Sequence, residues 1–308
     1  RLYAVHLALF LRQRYGVVTR THAKVISITP RGKEVVVEAA LRDGERYETK
    51  GDYVVNTAGP WADEIRNLVQ IGVKPRLRLS RGSHLVFSKA HLPIEEGFLI
   101  PRTKDGRLLF VLPWIEGTVL VGTTDEEVNA PTWPAKVSEA ETQFLIEHVK
   151  SYFGVGELEV QARFAGYRPL VAQRPNSTAK LARTHVVEVW PQQRVVSLMG
   201  GKWTTFRQMG EDAIAAIARL SGRNLPAGEP VLSVEPDLSE LERYRQQNPE
   251  PIVPGLPYIW GEVAFWQSLG WAQDPEDLVA GRWLLSFYDE QKAKQVREVL
   301  QSKWHKPD

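Results

Sequence analysis

The chain has 308 residues, of which 43% are hydrophobic and 25% charged, with 39 basic against 37 acidic side chains and no cysteine. That length suits about two packed units and that balance excludes long disorder, while a net charge of +2 provides no overall field for nucleic acid. The lack of cysteine excludes a disulfide scaffold, a thiolate metal centre and a cysteine nucleophile.

The sequence opens on Arg1 rather than Met, so it reads as a processed chain or a fragment. Leu2, Val5 and Leu9, with Leu7, Leu11 and Tyr15 beside them, predict a helix over 1–15 with a wide buried stripe, closed by Gly16. The run is too short and too charged to span a bilayer. Strands are predicted within 17–28, 33–41 and 46–59, punctuated at Pro30–Gly32 and Asp43–Gly44. The last of them ends in Ala58–Gly59–Pro60–Trp61, and a helix follows from Ala62 to Leu68. Residues 73–87 and 97–125 alternate as antiparallel strands. Ser138 and Glu141 form a capping-box pattern before a helix carrying Leu145, Val149 and Phe153. Strand-like stretches resume at 157–168 and 185–199, then come Gly200–Gly201 and a helix from about Thr204 to Leu220. Beyond 222 the chain is rich in Pro, Trp, Gln and Glu and predicts several helices, among them Tyr258–Leu269 and Asp289–Leu300.

The patterns G-x-G-x-x-G, H-E-x-x-H and G-x-S-x-G are all absent. Ala58–Gly59–Pro60–Trp61 is either a tight strand-to-helix turn or a place where a flat ligand approaches backbone with no Cβ in the way. Gly200–Gly201–Lys202–Trp203–Thr204–Thr205 lies between strand and helix, where backbone N–H groups and Lys202 could cradle an anion or cofactor. Arg168, Arg183 and Lys202 are candidate phosphate or carboxylate clamps, or solvated surface cations. His84 could accept a proton near neutral pH, or serve as a structural histidine.

In chain order, VVNTAGPWADEI, LRLSRGSHLVF, LLFVLPWIEGTVLVGTTDEE, AGYRPLV and MGGKWTTFRQMGEDAI together resemble the FAD-dependent glycerol-3-phosphate dehydrogenases, within the amino-acid-oxidase-like flavoproteins. The resemblance covers residues 1–220 strongly and the tail more loosely. It implies a mixed α/β and α+β fold: an incomplete FAD-binding domain (1–75 and 176–222), an inserted antiparallel-sheet substrate domain (76–175) and a C-terminal helical region (223–308). It implies FAD held by Ala58, Gly59, Pro60 and Trp61 and by Gly200, Gly201, Lys202, Trp203, Thr204 and Thr205. His84, Arg168, Arg183 and Lys202 match positions around the substrate, with His84 and Arg168 as the catalytic pair.

The implied reaction is oxidation of sn-glycerol 3-phosphate to dihydroxyacetone phosphate, with electrons passed on to a quinone or other acceptor. The implied setting is cytoplasmic, with peripheral association at the inner face of the cytoplasmic membrane and a homodimer among the assemblies allowed. Two other readings compete: a flavin-dependent amino-acid or hydroxy-acid oxidase, and a truncated, non-catalytic relative acting as a binding module. In three places the sequence departs from the family pattern, one of them in the tail, where Gly281–Arg282–Trp283–Leu284–Leu285 stands in place of the arginine-rich helix often seen there. The family's glycine-rich dinucleotide fingerprint does not occur in this sequence, so the chain by itself is expected to hold FAD poorly. Arg81 also stands where such proteins commonly carry lysine.

Overall fold

The structure is a computed structural model that describes residues 2–104, 106–172, 184–224 and 234–304. It opens with helix α1 (Leu2–Tyr15), ended by Gly16 in the left-handed conformation at φ 65°. Of the expected stripe only Leu9 is buried, with Val5 and Ala8 partly so, and Leu2, Tyr3 and Tyr15 are exposed. The helix is apolar on most sides, so the spacing of its residues could not single out the flank that packs.

Three sheets follow. β1 (Lys24–Arg31), β2 (Glu34–Ala40) and β3 (Arg46–Gly51) form an antiparallel meander. β1 starts seven residues later than the predicted stretch. A second sheet has the order β11-β12-β4, in which β4 (Val54–Asn56) runs parallel to β12 (Val195–Gly200), and β11 (His185–Trp190) pairs antiparallel on the other side. The stretch 185–199 is therefore a hairpin turning at Pro191–Arg194, where Arg194 adopts φ 58°. Helix α2 (Ala62–Val69) joins the two sheets: its Ile65 and Val69 pack with Ile28 and Val35 of one and Val195 of the other.

The third sheet has six strands: β5 (Leu77–Ser88), β6 (Phe98–Ile100), β7 (Leu109–Pro113), β8 (Thr118–Gly122), β9 (Glu126–Val128) and β10 (Val160–Val171). They are ordered β10-β5-β8-β7-β6, and β9 also pairs with β5. The two faces of this sheet have different partners. Leu85, Phe87, Leu109, Val111, Val119 and Val121 pack against Leu145 and Val149 of helix α3 (Glu139–Phe153). Both halves of the Ser138–Glu141 capping box are present at its start, and Gly154 ends it at φ 63°.

On the other face, Val86 and Ala162 share a core with Leu9 and with Phe265, Leu278, Leu285 and Val296 of the C-terminal region. That region consists of α5 (Ser239–Gln247), α6 (Trp260–Ser268), α7 (Pro275–Val279) and α8 (Glu290–Lys303), following α4 (Phe206–Ser221). The fold is mixed α/β, with an antiparallel sheet inserted between the parts of the β4–β12 unit and a helical C-terminal region. Among the described residues no helix is long and apolar enough to cross a membrane.

Arg66, 2% exposed, fixes how the inserted sheet leaves α2. It donates to Glu188 of β11 at 2.6 Å, to Asp63 at 2.5 Å and to the Lys74 carbonyl at 3.0 Å. Asp63 in turn accepts from the backbone N–H groups of Arg76 and Leu77, where β5 begins. Burial opposes the charge of Arg66, but its carboxylate partners outweigh that and hold its pKa above the usual arginine value.

Candidate active site

The register of β5 brings together residues far apart in sequence. His84 lies opposite Phe164 of β10 and Gly122 of β8, while Arg168 lies opposite Ser80. Paired residues share a face of a pleated sheet, so Ser80, Gly82, His84, Gly122, Phe164, Gly166 and Arg168 all stand on the face away from α3. Glycines form the floor around the two polar side chains. A Cβ at Gly82 would begin 2.3 Å from Arg168 Nη2, and one at Gly122 would begin 2.3 Å from His84 Cδ2. A Cβ at Gly166 would meet nothing within 4 Å, so the floor is open there.

Arg168 is held from the front of the sheet. Nη2 donates to Thr123 Oγ1 at 2.9 Å, and Nη1 donates to the Thr124 carbonyl at 3.2 Å and to Ser80 Oγ at 3.3 Å. The Ser80 hydroxyl donates to Asp125. His84 is stacked on Phe164, with ring centroids 5.0 Å apart and planes 13° from parallel. Phe287 of the C-terminal region meets Phe164 in a T-shaped contact, with ring centroids 4.9 Å apart. Among the described residues Nδ1 of His84 is enclosed without a hydrogen-bond partner. Burial, aided by the positive charge of Arg168, pushes the His84 pKa down to about 4. The imidazole is therefore neutral at pH 7, as a proton acceptor must be.

The two glycine-bearing motifs occupy the ends of the parallel strands β4 and β12, and both meet β10. At the first, Gly59 has φ 55° and a Cβ there would meet nothing within 4 Å. Asn56, buried at the end of β4, ties the turn: its amide donates to the Ala62 carbonyl (3.0 Å) and to Ser197 Oγ (3.2 Å), and its Oδ1 accepts from Ala58 N (3.1 Å). Ala58 precedes a short 3₁₀ turn, Gly59–Trp61, that leads into α2.

At the second motif, Gly200 and Gly201 adopt φ 75° and 77°, and a Cβ on Gly200 would begin 2.7 Å from Val171 of β10 and from the Thr184 carbonyl. Arg168 thus sits three residues before the point where β10 touches the double glycine. Lys202, Trp203 and Thr204 are exposed. Thr205 instead spends its hydroxyl on the Lys202 carbonyl at 3.0 Å. Among the described residues the Lys202 ammonium has no hydrogen-bond or ion-pair partner, and no contact joins it to His84 or Arg168. Arg183 lies outside the described residues.

Sequence reading missed three participants. Asn56 lies inside a motif but gives no signal of its own. Phe164 becomes visible only through the β5–β10 register. His185 contacts Asp212 of α4 at 2.6 Å and flanks Gly201, and that hydrogen bond holds the Asp212 pKa below the usual carboxylate value.

The model of the FAD dependent oxidoreductase family matches residues 1–206. The chain belongs to that family. A probable mitochondrial glycerol-3-phosphate dehydrogenase of Dictyostelium discoideum is 29% identical over 94% of this chain and 54% of its own length. A mitochondrial glycerol-3-phosphate dehydrogenase of Arabidopsis thaliana is 35% identical over 70% of this chain and 34% of its own. The crystal structure of the glycerol-3-phosphate dehydrogenase from Bacillus halodurans complexed with FAD superposes with a TM-score of 0.59 at 21% identity, covering 91% of this chain and 49% of that one. It shares the fold. This chain therefore spans about half or less of the length of these relatives.

The residues present fit the family's cofactor, FAD. Gly59 and Gly166 leave open space over backbone, the N-terminal ends of α2 and α4 follow the two parallel strand ends, and the indole of Trp203 is 58% exposed beside the second.

Proposed function

We propose that the protein takes part in the oxidation of sn-glycerol 3-phosphate to dihydroxyacetone phosphate, with electrons passing to a quinone or similar acceptor. When bound, FAD supplies the hydride acceptor for C2 of the substrate. The chain's residues handle the proton and the charge. His84 takes the C2 hydroxyl proton. Arg168, which stays charged at any working pH, clamps the anion and stabilises negative charge that develops on the substrate oxygen. Lys202 and Arg183 are assigned to the phosphate. Ala58–Trp61 and Gly200–Thr205 are assigned to the flavin nucleotide. In this reading residues 1–75 and 176–222 form the cofactor domain, 76–175 the substrate domain and 223–308 the helical region.

The observation that carries the reading is the pairing of neutral His84 with cationic Arg168 on one glycine-floored face. A base beside an anion clamp serves oxidation of a hydroxyl on a phosphate monoester, and the set of Arg168, Arg183 and Lys202 with the Arg81–His84 and Gly200–Thr205 strings favours the phosphate ester over a carboxylate substrate. The test is expression of the full-length protein, followed by a flavin absorbance scan and dye reduction. A yellow protein bleached by glycerol 3-phosphate and not by amino acids is the expected result. A folded protein that retains no flavin overturns the reading in favour of a binding module.

A further inference from the structure

Behind the sheet, on the face opposite His84 and Arg168, one buried carboxylate gathers donors from three elements. Oε1 of Glu141 accepts from Ser83 Oγ of β5 and from Thr124 Oγ1 of the β8–β9 connection, both at 2.7 Å. Oε2 accepts from Ser138 N at 3.0 Å, from Ser138 Oγ at 2.9 Å and from Arg81 Nη2 at 2.7 Å. The Thr124 hydroxyl also accepts from Ser83 N at 2.9 Å, locking the two segments together. Their front sides are the ones that matter for the anion clamp. Ser83 lies between Gly82, whose backbone underlies the Arg168 guanidinium, and His84, while Thr123 and Thr124 supply the oxygens to which that guanidinium donates. The carboxylate reaches Arg168 through these segments.

We propose that Glu141 is a positioning residue for Arg168: from behind the sheet it fixes the Thr123–Thr124 connection that aims the guanidinium, and so sets the affinity for the anionic substrate without touching it. The proposal rests on the reading of Arg168 given above. Burial opposes the charge of Glu141, but the Ser138, Thr124 and Ser83 hydrogen bonds outweigh it and hold the carboxyl below its usual pKa, so it accepts at both oxygens. An amide cannot accept at both ends, so Glu141→Gln keeps the shape but must reverse the Ser83 and Thr124 hydroxyls or release one set of donors, and either outcome disturbs the link that holds Thr124. A helix-capping role alone would be met by Ser138 and would not require the contacts to Ser83 and Thr124.

The experiment compares FAD-loaded wild type, Glu141→Gln, Thr124→Val, Arg168→Lys and the double variant Glu141→Gln/Arg168→Lys by dye reduction over a glycerol 3-phosphate titration, with melting temperatures recorded alongside. Glu139→Gln, which removes a 73% exposed carboxylate from the same helix turn, is the control. Expected for Glu141→Gln is a rise in KM of about tenfold or more with kcat changed less than about threefold, and no further rise in the double variant over Arg168→Lys. Thr124→Val cuts the same link while leaving the Glu141 carboxylate in place with its Ser83, Ser138 and Arg81 partners, and is expected to raise KM likewise, so it decides the matter if Glu141→Gln does not fold. A lowered melting temperature with KM unchanged in both variants, or additive effects in the double variant, overturns the proposal and leaves Glu141 a structural carboxylate. An unaltered KM in Arg168→Lys overturns the reading of Arg168 itself, and the proposal with it.

Discussion

At the scale of single residues, the environment of His84 makes a prediction that does not depend on turnover. Its pKa is lowered to about 4 by burial and by Arg168, whereas in the unfolded chain it titrates near 6.5. Between those values the unfolded chain binds a proton that the folded chain refuses. The stability contributed by neutral His84 is therefore whole above about pH 6.5 and is lost as pH falls towards 4, by on the order of 3 kcal/mol. Replacing it with a side chain that does not titrate removes this term. Urea denaturation of wild type and His84→Gln at pH 7 and pH 4.5 should show the variant losing less stability on acidification. Equal losses would mean that the imidazole protonates freely in the folded protein.

Among the elements, glycines that look alike in the sequence have opposite roles. Gly261 lies in α6 where it crosses α5, and a Cβ there would begin 2.3 Å from the Tyr244 carbonyl oxygen, which is backbone and cannot swing away. Gly210 lies within α4 on its exposed side, with nothing within 4 Å of its Cβ position. Gly261→Ala should destabilise by about 1–3 kcal/mol through forced separation of the two helices, and Gly210→Ala should stabilise by up to about 1 kcal/mol through helix propensity. Thermal melts of the two variants, expected to shift in opposite directions, check the assignment.

This contrast also marks how far the sequence could be read. Alternation in 77–88, the Ser138–Glu141 capping box and the order of the glycine motifs are local patterns, and each predicted its element. The Glu141 contacts to Ser83 and Thr124, the stacking of Phe164 on His84 and the closeness of Gly261 to Tyr244 depend on which strands and helices become neighbours. No local periodicity encodes that. For the same reason His84 and Arg168 could be nominated one at a time, while their common face emerged only from the β5–β10 register. The exposed flank of α1 was misread because an apolar helix can pack on any side, and only part of this one does.

For the molecule as a whole, the C-terminal region does more than follow the family-matched part. Its Leu278, Leu285 and Val296 share one core with Val86 and Ala162 of the inserted sheet and with Leu9 of α1, and Phe287 contacts the ring on which His84 stacks. Two regions joined by a continuous dry core should unfold as one cooperative unit. Fluorescence weights the tail, where five of the ten tryptophans lie (Trp260, Trp266, Trp271, Trp283 and Trp304), while far-UV circular dichroism reports on all helices and sheets together. Leu285 is fully buried in the shared core, so Leu285→Ala should cost about 2–5 kcal/mol. Both probes should move to lower urea by the same amount and remain coincident. If fluorescence shifted while the ellipticity transition stayed in place, the tail would be an independent appendage, and its support of the His84 face would have to come from contact alone rather than from a common fold.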